Sequence, residues 1–162
     1  MMCHTPLLCA IALTLSSCAA AGSQPSEAVA LPAPLRADLQ TERFQMVTSI
    51  RGLPLGVRDA LQSLFGSQTL DIADPGTELE PTGVANALPA RRLVAAACST
   101  NYCLVYYQRL GNDSAWHVAL FHWTPEATRF EWGGTAPGGL ATEDEVRQAM
   151  LAGRIKGPAT VW

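Results

Sequence analysis

Four strand-like runs in the second half of the chain constrain its fold more than any other feature. They cover residues 93–98, 103–109, 116–123 and 129–132. The segments STNY, GND and TPEAT separate them, and short segments rich in turn formers are typical of antiparallel hairpins. The sequence therefore predicts an antiparallel meander. A weakly alternating run at residues 44–50 and the final ATVW are further strand candidates, which gives a sheet of four to five strands.

Helical patterns lie on either side of this meander. In LPLGVRDALQSLFG, Pro54 suits a first turn, an apolar stripe follows at helical spacing, and Gly66 suits the end. A second helix is predicted from Thr142, which forms a capping box with Glu145, to Gly153. The predicted fold class is therefore α+β, with one helix before the sheet and one after it.

The last two of the four strand-like runs differ in their apolar pattern. WHVALFHW is apolar at both odd and even positions, which predicts a central strand covered on both faces. In the last run, Phe130 and Trp132 share one parity while Arg129 and Glu131 share the other, which predicts one buried and one solvated face. The glycine-rich GGTAPGG that follows is interpreted as a flexible connector.

The N-terminal segment resembles the export signal of bacterial lipoproteins. Residues 7–15 form an apolar run of signal-peptide length, too short to span a bilayer. The run ends in Leu15-Ser16-Ser17-Cys18, which resembles a lipobox, although no Lys or Arg precedes it. The resemblance implies that residues 1–17 are removed and that Cys18 is lipidated. By analogy with Gram-negative lipoproteins, the Ala19 that follows implies an anchor in the outer membrane, on its periplasmic face.

The mature chain is predicted to have a tether and one domain. Residues 18–37, which comprise the lipidated cysteine and a stretch rich in Ala, Ser, Pro and Gly, are predicted to be a flexible tether, and residues 38–162 a single α+β domain. The formal net charge is −3, and Lys156 is the single lysine. A nucleic-acid partner is therefore not expected. The expected partners are the membrane, through the lipid, and a protein of the cell envelope.

Cys98 and Cys103 flank a four-residue turn, so they can face each other at the end of a hairpin. The periplasm is oxidising, which favours a disulfide. A metal site is not predicted, because His117 and His122 point to opposite faces of one strand and cannot share an ion. The Cys-x-x-Cys spacing of a redox motif is absent, and no cofactor is predicted.

Aromatic residues concentrate in the meander, and some of them are predicted to form an exposed binding face, because Tyr and Trp are typical anchors of protein interfaces. The predicted partner-binding residues are Tyr102, Tyr106, Tyr107, Trp116 and Trp132.

The function predicted from these features is a lipid-anchored periplasmic module that captures a protein, of inhibitor, immunity or envelope-assembly type, without catalysis. Two alternatives remain open: a small periplasmic hydrolase that uses His117 or His122, and a structural subunit of an envelope machine. The region from residue 70 to 133 loosely resembles small exported proteobacterial proteins. That resemblance supports the strand layout and implies no catalytic residue.

Overall fold

The sheet is a five-stranded antiparallel meander whose spatial order is the order of the sequence. The computed structural model describes residues 30–78, 89–110, 114–157, 159 and 162. The strands are β1 (Gln45–Val47), β2 (Arg91–Cys98), β3 (Tyr102–Arg109), β4 (Ala115–Trp123) and β5 (Thr128–Ala136). The predicted meander is confirmed, and the weakly alternating run supplies its fifth strand.

Three helices accompany the sheet: α1 (Ala33–Thr41), α2 (Leu55–Phe65) and α3 (Glu143–Leu151). Helix α2 begins after Pro54 and ends at Gly66, whose φ of 62° lies in the left-handed region that favours glycine. The capping box of α3 is confirmed, since Thr142 Oγ1 accepts from the backbone N–H of Glu145 while the Glu145 carboxylate accepts from that of Thr142. The chain is therefore an α+β protein.

Helix α1 corrects the predicted extent of the tether. The tether was expected to reach residue 37, but α1 begins at Ala33, and Leu31 before it is already buried. Leu35 and Leu39 lie one turn apart on the same helix face and are both buried against the sheet. The proline- and alanine-rich composition concealed this apolar spacing. Cys18 and residues 19–29 lie outside the described part of the chain.

The sheet is covered on both faces. Helices α1 and α3 pack on one face, where Leu104, Tyr106 and Val118 belong to the same apolar cluster. Helix α2 packs on the other face, through Val57 and Leu61. The centre of β4, residues 118–121, is fully buried, which confirms the prediction of a central strand covered on both sides.

A bulge in the β4–β5 pair separates two aromatic residues that were expected to share a face. The register shifts between Leu120 and Phe121, so Trp132 lies opposite Leu120 while Phe130 lies opposite Phe121. Trp132 therefore packs in the core under α1 and α3. Phe130 lies on the α2 side and is 39 % exposed. The prediction that Phe130 and Trp132 share one face of the sheet is wrong, because the sequence pattern does not show the extra residue of a bulge.

The glycine-rich segment begins as a strand, so its interpretation as a connector is wrong for residues 133–136. A Cβ atom at Gly133 would lie 2.3 Å from the Val118 carbonyl oxygen, and one at Gly134 would lie 2.4 Å from that of Lys156. Lys156 and Thr135 exchange two backbone hydrogen bonds along this edge. These glycines allow neighbouring backbones to approach closely.

We expect Leu39→Ala to lower the free energy of unfolding by about 2–5 kcal/mol, because the Leu39 side chain is fully buried. Urea unfolding of the two proteins measures the difference. The matched control is Leu55→Ala, since Leu55 is 63 % exposed and its truncation should change stability by about 0.5 kcal/mol or less. Equal effects of the two substitutions would show that α1 is not part of the folded domain.

Candidate functional site

The aromatic residues predicted to bind a partner form core instead. Because helices cover both faces of the sheet, side chains of either parity on β3 and β4 point into apolar clusters. Four of the five are buried and the fifth is half-buried, so the predicted exposed face is wrong. The residues concerned are Tyr102, Tyr106, Tyr107 and Trp132, which are buried, and Trp116, which stacks on Tyr106.

The hydroxyl groups of two of these tyrosines hold the packed layers together. Tyr102 donates to a carboxylate oxygen of Asp38 on α1 over 2.8 Å, and Tyr106 donates to the Pro137 carbonyl over 2.7 Å. Burial raises the pKa of both tyrosines to about 12. These contacts explain Tyr102 and Tyr106 at core positions without a ligand, because a buried Tyr hydroxyl usually has a hydrogen-bond partner.

The predicted disulfide between Cys98 and Cys103 is present at the tip of the β2–β3 hairpin. The two Cα atoms are 4.1 Å apart, and the Ser99 N–H donates to the Tyr102 carbonyl across the turn over 2.7 Å. Cys103 is buried, whereas Cys98 is half-buried and faces an open depression. The bond therefore braces the wall of that depression.

The depression continues as a groove along this end of the sheet, which we call the disulfide-end groove. It consists of two cavities of 460 and 310 Å³ that share Pro54 and Trp123. The first is lined by Arg43, Gln45, Met46, Val47, Gly52, Pro54, Cys98, Ser99, Thr100 and Trp123. The second continues past Leu55 and Gly56 to the turn at residues 124–128.

Exposed apolar residues line this groove. Met46 and Leu55 are 71 % and 63 % exposed, the highest values among the large apolar residues that the structure describes. Trp123 lines both cavities, and its indole N–H is fixed by the Ser99 carbonyl at 3.2 Å. A fixed aromatic ring beside exposed apolar side chains is typical of a surface that buries part of a partner.

Charge in the first cavity is positive. Arg43 is exposed and is the one charged residue among those that line it. In the described part of the chain, Arg43 takes part in no ion pair, since the pairs there involve other arginines. The guanidinium is therefore available to a carboxylate of a bound molecule.

The sequence offered little to indicate that Arg43, Met46, Leu55 and Trp123 would line a groove. Arg43 and Met46 lie in or beside the weakest strand pattern, and Trp123 ends the WHVALFHW run, whose pattern predicts a strand but no particular role for this residue. Leu55 gave one usable signal, because it lies off the buried stripe that Val57 and Leu61 form on α2. An apolar residue outside the buried stripe of an amphipathic helix is left in contact with solvent, where a partner can cover it.

One of the two histidines of the hydrolase alternative, His117, lies inside the domain. His117 is 2 % exposed, stacks on Tyr107 and lies beside Trp162. Neither ring nitrogen has a hydrogen-bond partner among the described residues. Burial, and then the positive charges of Arg109 and Arg91, lower the pKa of His117 to about 4. A general base needs contact with its substrate, and His117 has none.

Among the described residues, one carboxylate side chain is buried, that of Asp71, and it is already paired. Asp71 forms a buried ion pair with Arg91 at 2.5 Å and also accepts the Ala90 N–H at 2.6 Å. Arg91 also lies over the Phe65 ring and donates to the Trp162 backbone oxygen. These contacts connect the segment around Asp71, helix α2 and residue 162 to β2. The ion pair therefore stabilises packing on the α2 side of the sheet.

His122 lies on the other face of β4, where its ring meets Tyr102 edge-on at 5.5 Å. The expectation that the two histidines point to opposite faces is confirmed by these contacts. Within the described residues, no group of three His, Cys, Asp or Glu side chains is placed to hold a metal ion. Among the described helices, none has the length and apolar character needed to cross a bilayer.

No protein-family model matches the chain, and no curated protein or solved structure matches it significantly. The functional argument therefore depends on the residues and geometry of this chain alone.

We expect His117 to make the protein less stable as the pH falls from about 6.5 to about 4. In this window the unfolded chain binds a proton on His117 while the folded chain does not, so folding becomes less favourable. The difference amounts to about 3 kcal/mol. It is measured as the urea stability of the wild type at pH 7 and pH 4, compared with His117→Phe, which cannot titrate. His122→Phe, which retains His117, should keep the His117 contribution. Parallel pH curves for the wild type and His117→Phe would contradict this assignment.

Proposed function

We propose that this protein is a lipid-anchored binding module on the periplasmic face of the outer membrane, and that it captures a protein partner without catalysis. The partner is an envelope protein such as a cell-wall hydrolase, a toxin that requires an immunity protein, or an assembly factor. The lipobox-like Leu15-Ser16-Ser17-Cys18 supports the anchor. The capture function rests on the disulfide-end groove.

The exposed apolar lining of the groove is the observation that carries the proposal. Met46 lies on the edge strand β1 and Leu55 at the first position of α2, and neither side chain belongs to an apolar core cluster of the described residues. Such exposure is favourable when a partner covers the side chains, since burying a residue of this size contributes about 1.5–3 kcal/mol.

The scaffold under the groove suits binding. The Cys98–Cys103 disulfide and the Trp123–Ser99 hydrogen bond hold its walls in one arrangement. A preorganised surface loses less conformational entropy when it binds. No histidine is among the residues that line either cavity, which favours binding over a histidine-dependent hydrolase.

The anchor is tested by Cys18→Ser. Because lipidation requires the thiol, we expect the variant to remain an unprocessed precursor or to leave the membrane fraction. Fractionation of the envelope followed by intact-mass measurement distinguishes these forms from a lipidated mature chain. A Cys18→Ser protein of mature mass in the membrane pellet would refute the lipid anchor.

The capture function is tested by Leu55→Asp. Residue 55 is the first position of α2, where an acidic side chain is compatible with the helix dipole, so the variant should fold. A buried charge in the interface should weaken capture by about 2 kcal/mol or more. The measurement is quantitative mass spectrometry of proteins crosslinked to the full lipidated chain in intact envelopes.

Gln148→Glu is the matched control for this experiment, because it adds the same charge at an exposed position of α3, far from the groove residues in sequence. A partner should be recovered with the wild type and with Gln148→Glu, and lost with Leu55→Asp. Recovery of the same proteins in the same amounts from all three would show that the groove is not the capture site.

A further inference from the structure

Strand β1 presents an unpaired backbone edge beside the groove. It pairs with β2 on one side, with Gln45 opposite Cys98 and Val47 opposite Ala96. On its other side, no backbone hydrogen bond joins residues 45–47 to any described residue. An open strand edge of this kind can pair with another extended chain.

The spacing of the cysteine pair shows which backbone groups of β1 point away from the sheet. The 4.1 Å between the Cα atoms of Cys98 and Cys103 is the close spacing of a non-hydrogen-bonded pair. The N–H and C=O of Cys98 therefore point away from β3, towards Gln45 on β1. Because these directions alternate along a strand, the N–H and C=O of Met46 point to the open side.

A cavity lies on each face of the sheet beside this edge. The disulfide-end groove lies on the α2 side. A second cavity of 190 Å³, the α3-side cavity, is lined by Met46, Val94 and Ala95 together with Glu143 at the start of α3. Side chains of an added strand alternate between the two faces, so successive residues would enter the two cavities in turn.

The charges and apolar surface define the segment that fits. Arg43 faces the groove without an ion-pair partner among the described residues, so a carboxylate is favoured on that side. The α3-side cavity is lined largely by Val, Ala, Met and Pro side chains, so an apolar residue is favoured on the other. Successive residues of an added strand would therefore be an acidic residue on the groove side and an apolar residue on the α3 side.

We propose that β1 recognises its partner by strand addition: an extended segment that alternates apolar residues with Asp or Glu pairs with the backbone of Met46. The carboxylate binds Arg43, and the apolar side chains enter the α3-side cavity and cover Met46. This assignment rests on the proposed capture function and specifies the chemistry of its partner. Strand addition derives affinity from main-chain hydrogen bonds and specificity from the pockets for alternate side chains.

A second copy of the chain fits this edge less well than a peptide does. β1 is three residues long, so β1–β1 pairing engages few residues from each copy. A stable interface buries about 800 Å² and 20–30 residues on each side. Two copies would also bring the exposed Arg43 of both chains to one seam, without an added carboxylate.

The experiment uses the full lipidated chain in detergent micelles and a phage-displayed library of random nine-residue peptides. Enriched peptides should alternate apolar residues with Asp or Glu. A selected peptide, synthesised with a fluorophore, is then titrated against variants by fluorescence anisotropy. Met46→Pro removes the outward N–H, and an edge strand tolerates such a proline. We expect it to weaken binding at least tenfold, whereas Met46→Ala, which keeps the N–H, should weaken binding less.

Charge reversal provides an independent readout that does not depend on the proline variant. Selection against Arg43→Glu should enrich Lys or Arg in place of the acidic residue. The matched control Arg154→Glu, at an exposed position after α3, should enrich the same acidic peptides as the wild type. Urea unfolding of each variant verifies that the fold is retained.

Several outcomes would overturn strand addition. These are no enrichment over background, equal affinity of the selected peptide for Met46→Pro and the wild type, or an unchanged peptide charge with Arg43→Glu. Sedimentation that shows a dimer lost in Met46→Pro would assign the edge to self-association instead. If Leu55→Asp still abolished envelope capture in any of these cases, the capture function would stand and only its strand-addition mode would fail.

Discussion

Strands β3 and β4 have no solvated face, because α1 and α3 cover the sheet on one side and α2 covers it on the other. Apolar residues at both parities of β4 require this arrangement, since leaving either face in water would expose a row of large side chains. The enclosure of His117 without a hydrogen-bond partner among the described residues follows from the same constraint.

Double coverage also determines where the protein can bind another molecule. Side chains in the middle of the sheet are used in packing. The hydroxyls of Tyr102 and Tyr106 are bonded to Asp38 and Pro137, and that of Tyr107 is buried without a partner among the described residues. Only the ends and edges of the sheet remain. At one end, the disulfide, Trp123 and the short strand β1 lie together. Arg43 and Met46 line the cavity there and Leu55 lines the adjoining one, and Arg43 has no ion-pair partner among the described residues.

The short length of β1 has a physical consequence for specificity. A long exposed edge pairs with many chains, and natural sheets limit this by shortening their edge strands. With three residues in β1, backbone pairing alone gives little affinity, so side chains that fit the cavities on both faces must supply the rest. In the proposed function, such an edge discriminates between partners by their side chains.

The sequence by itself determined the meander, α2, α3, the capping box and the disulfide, because each depends on periodicity or on residues near one another in the chain. It also predicted a lipobox-type anchor, a prediction that concerns residues outside the described part. Tertiary structure alone decided three other features. The bulge at Leu120 changed which face Phe130 occupies, and helix α1 brought Leu39 onto the sheet. Packing of helices against β3 and β5 then made the predicted aromatic surface part of the core, and left Met46 and Leu55 as exposed apolar residues. Local patterns show which side chains are apolar, but which of them remain exposed depends on contacts between segments distant in sequence.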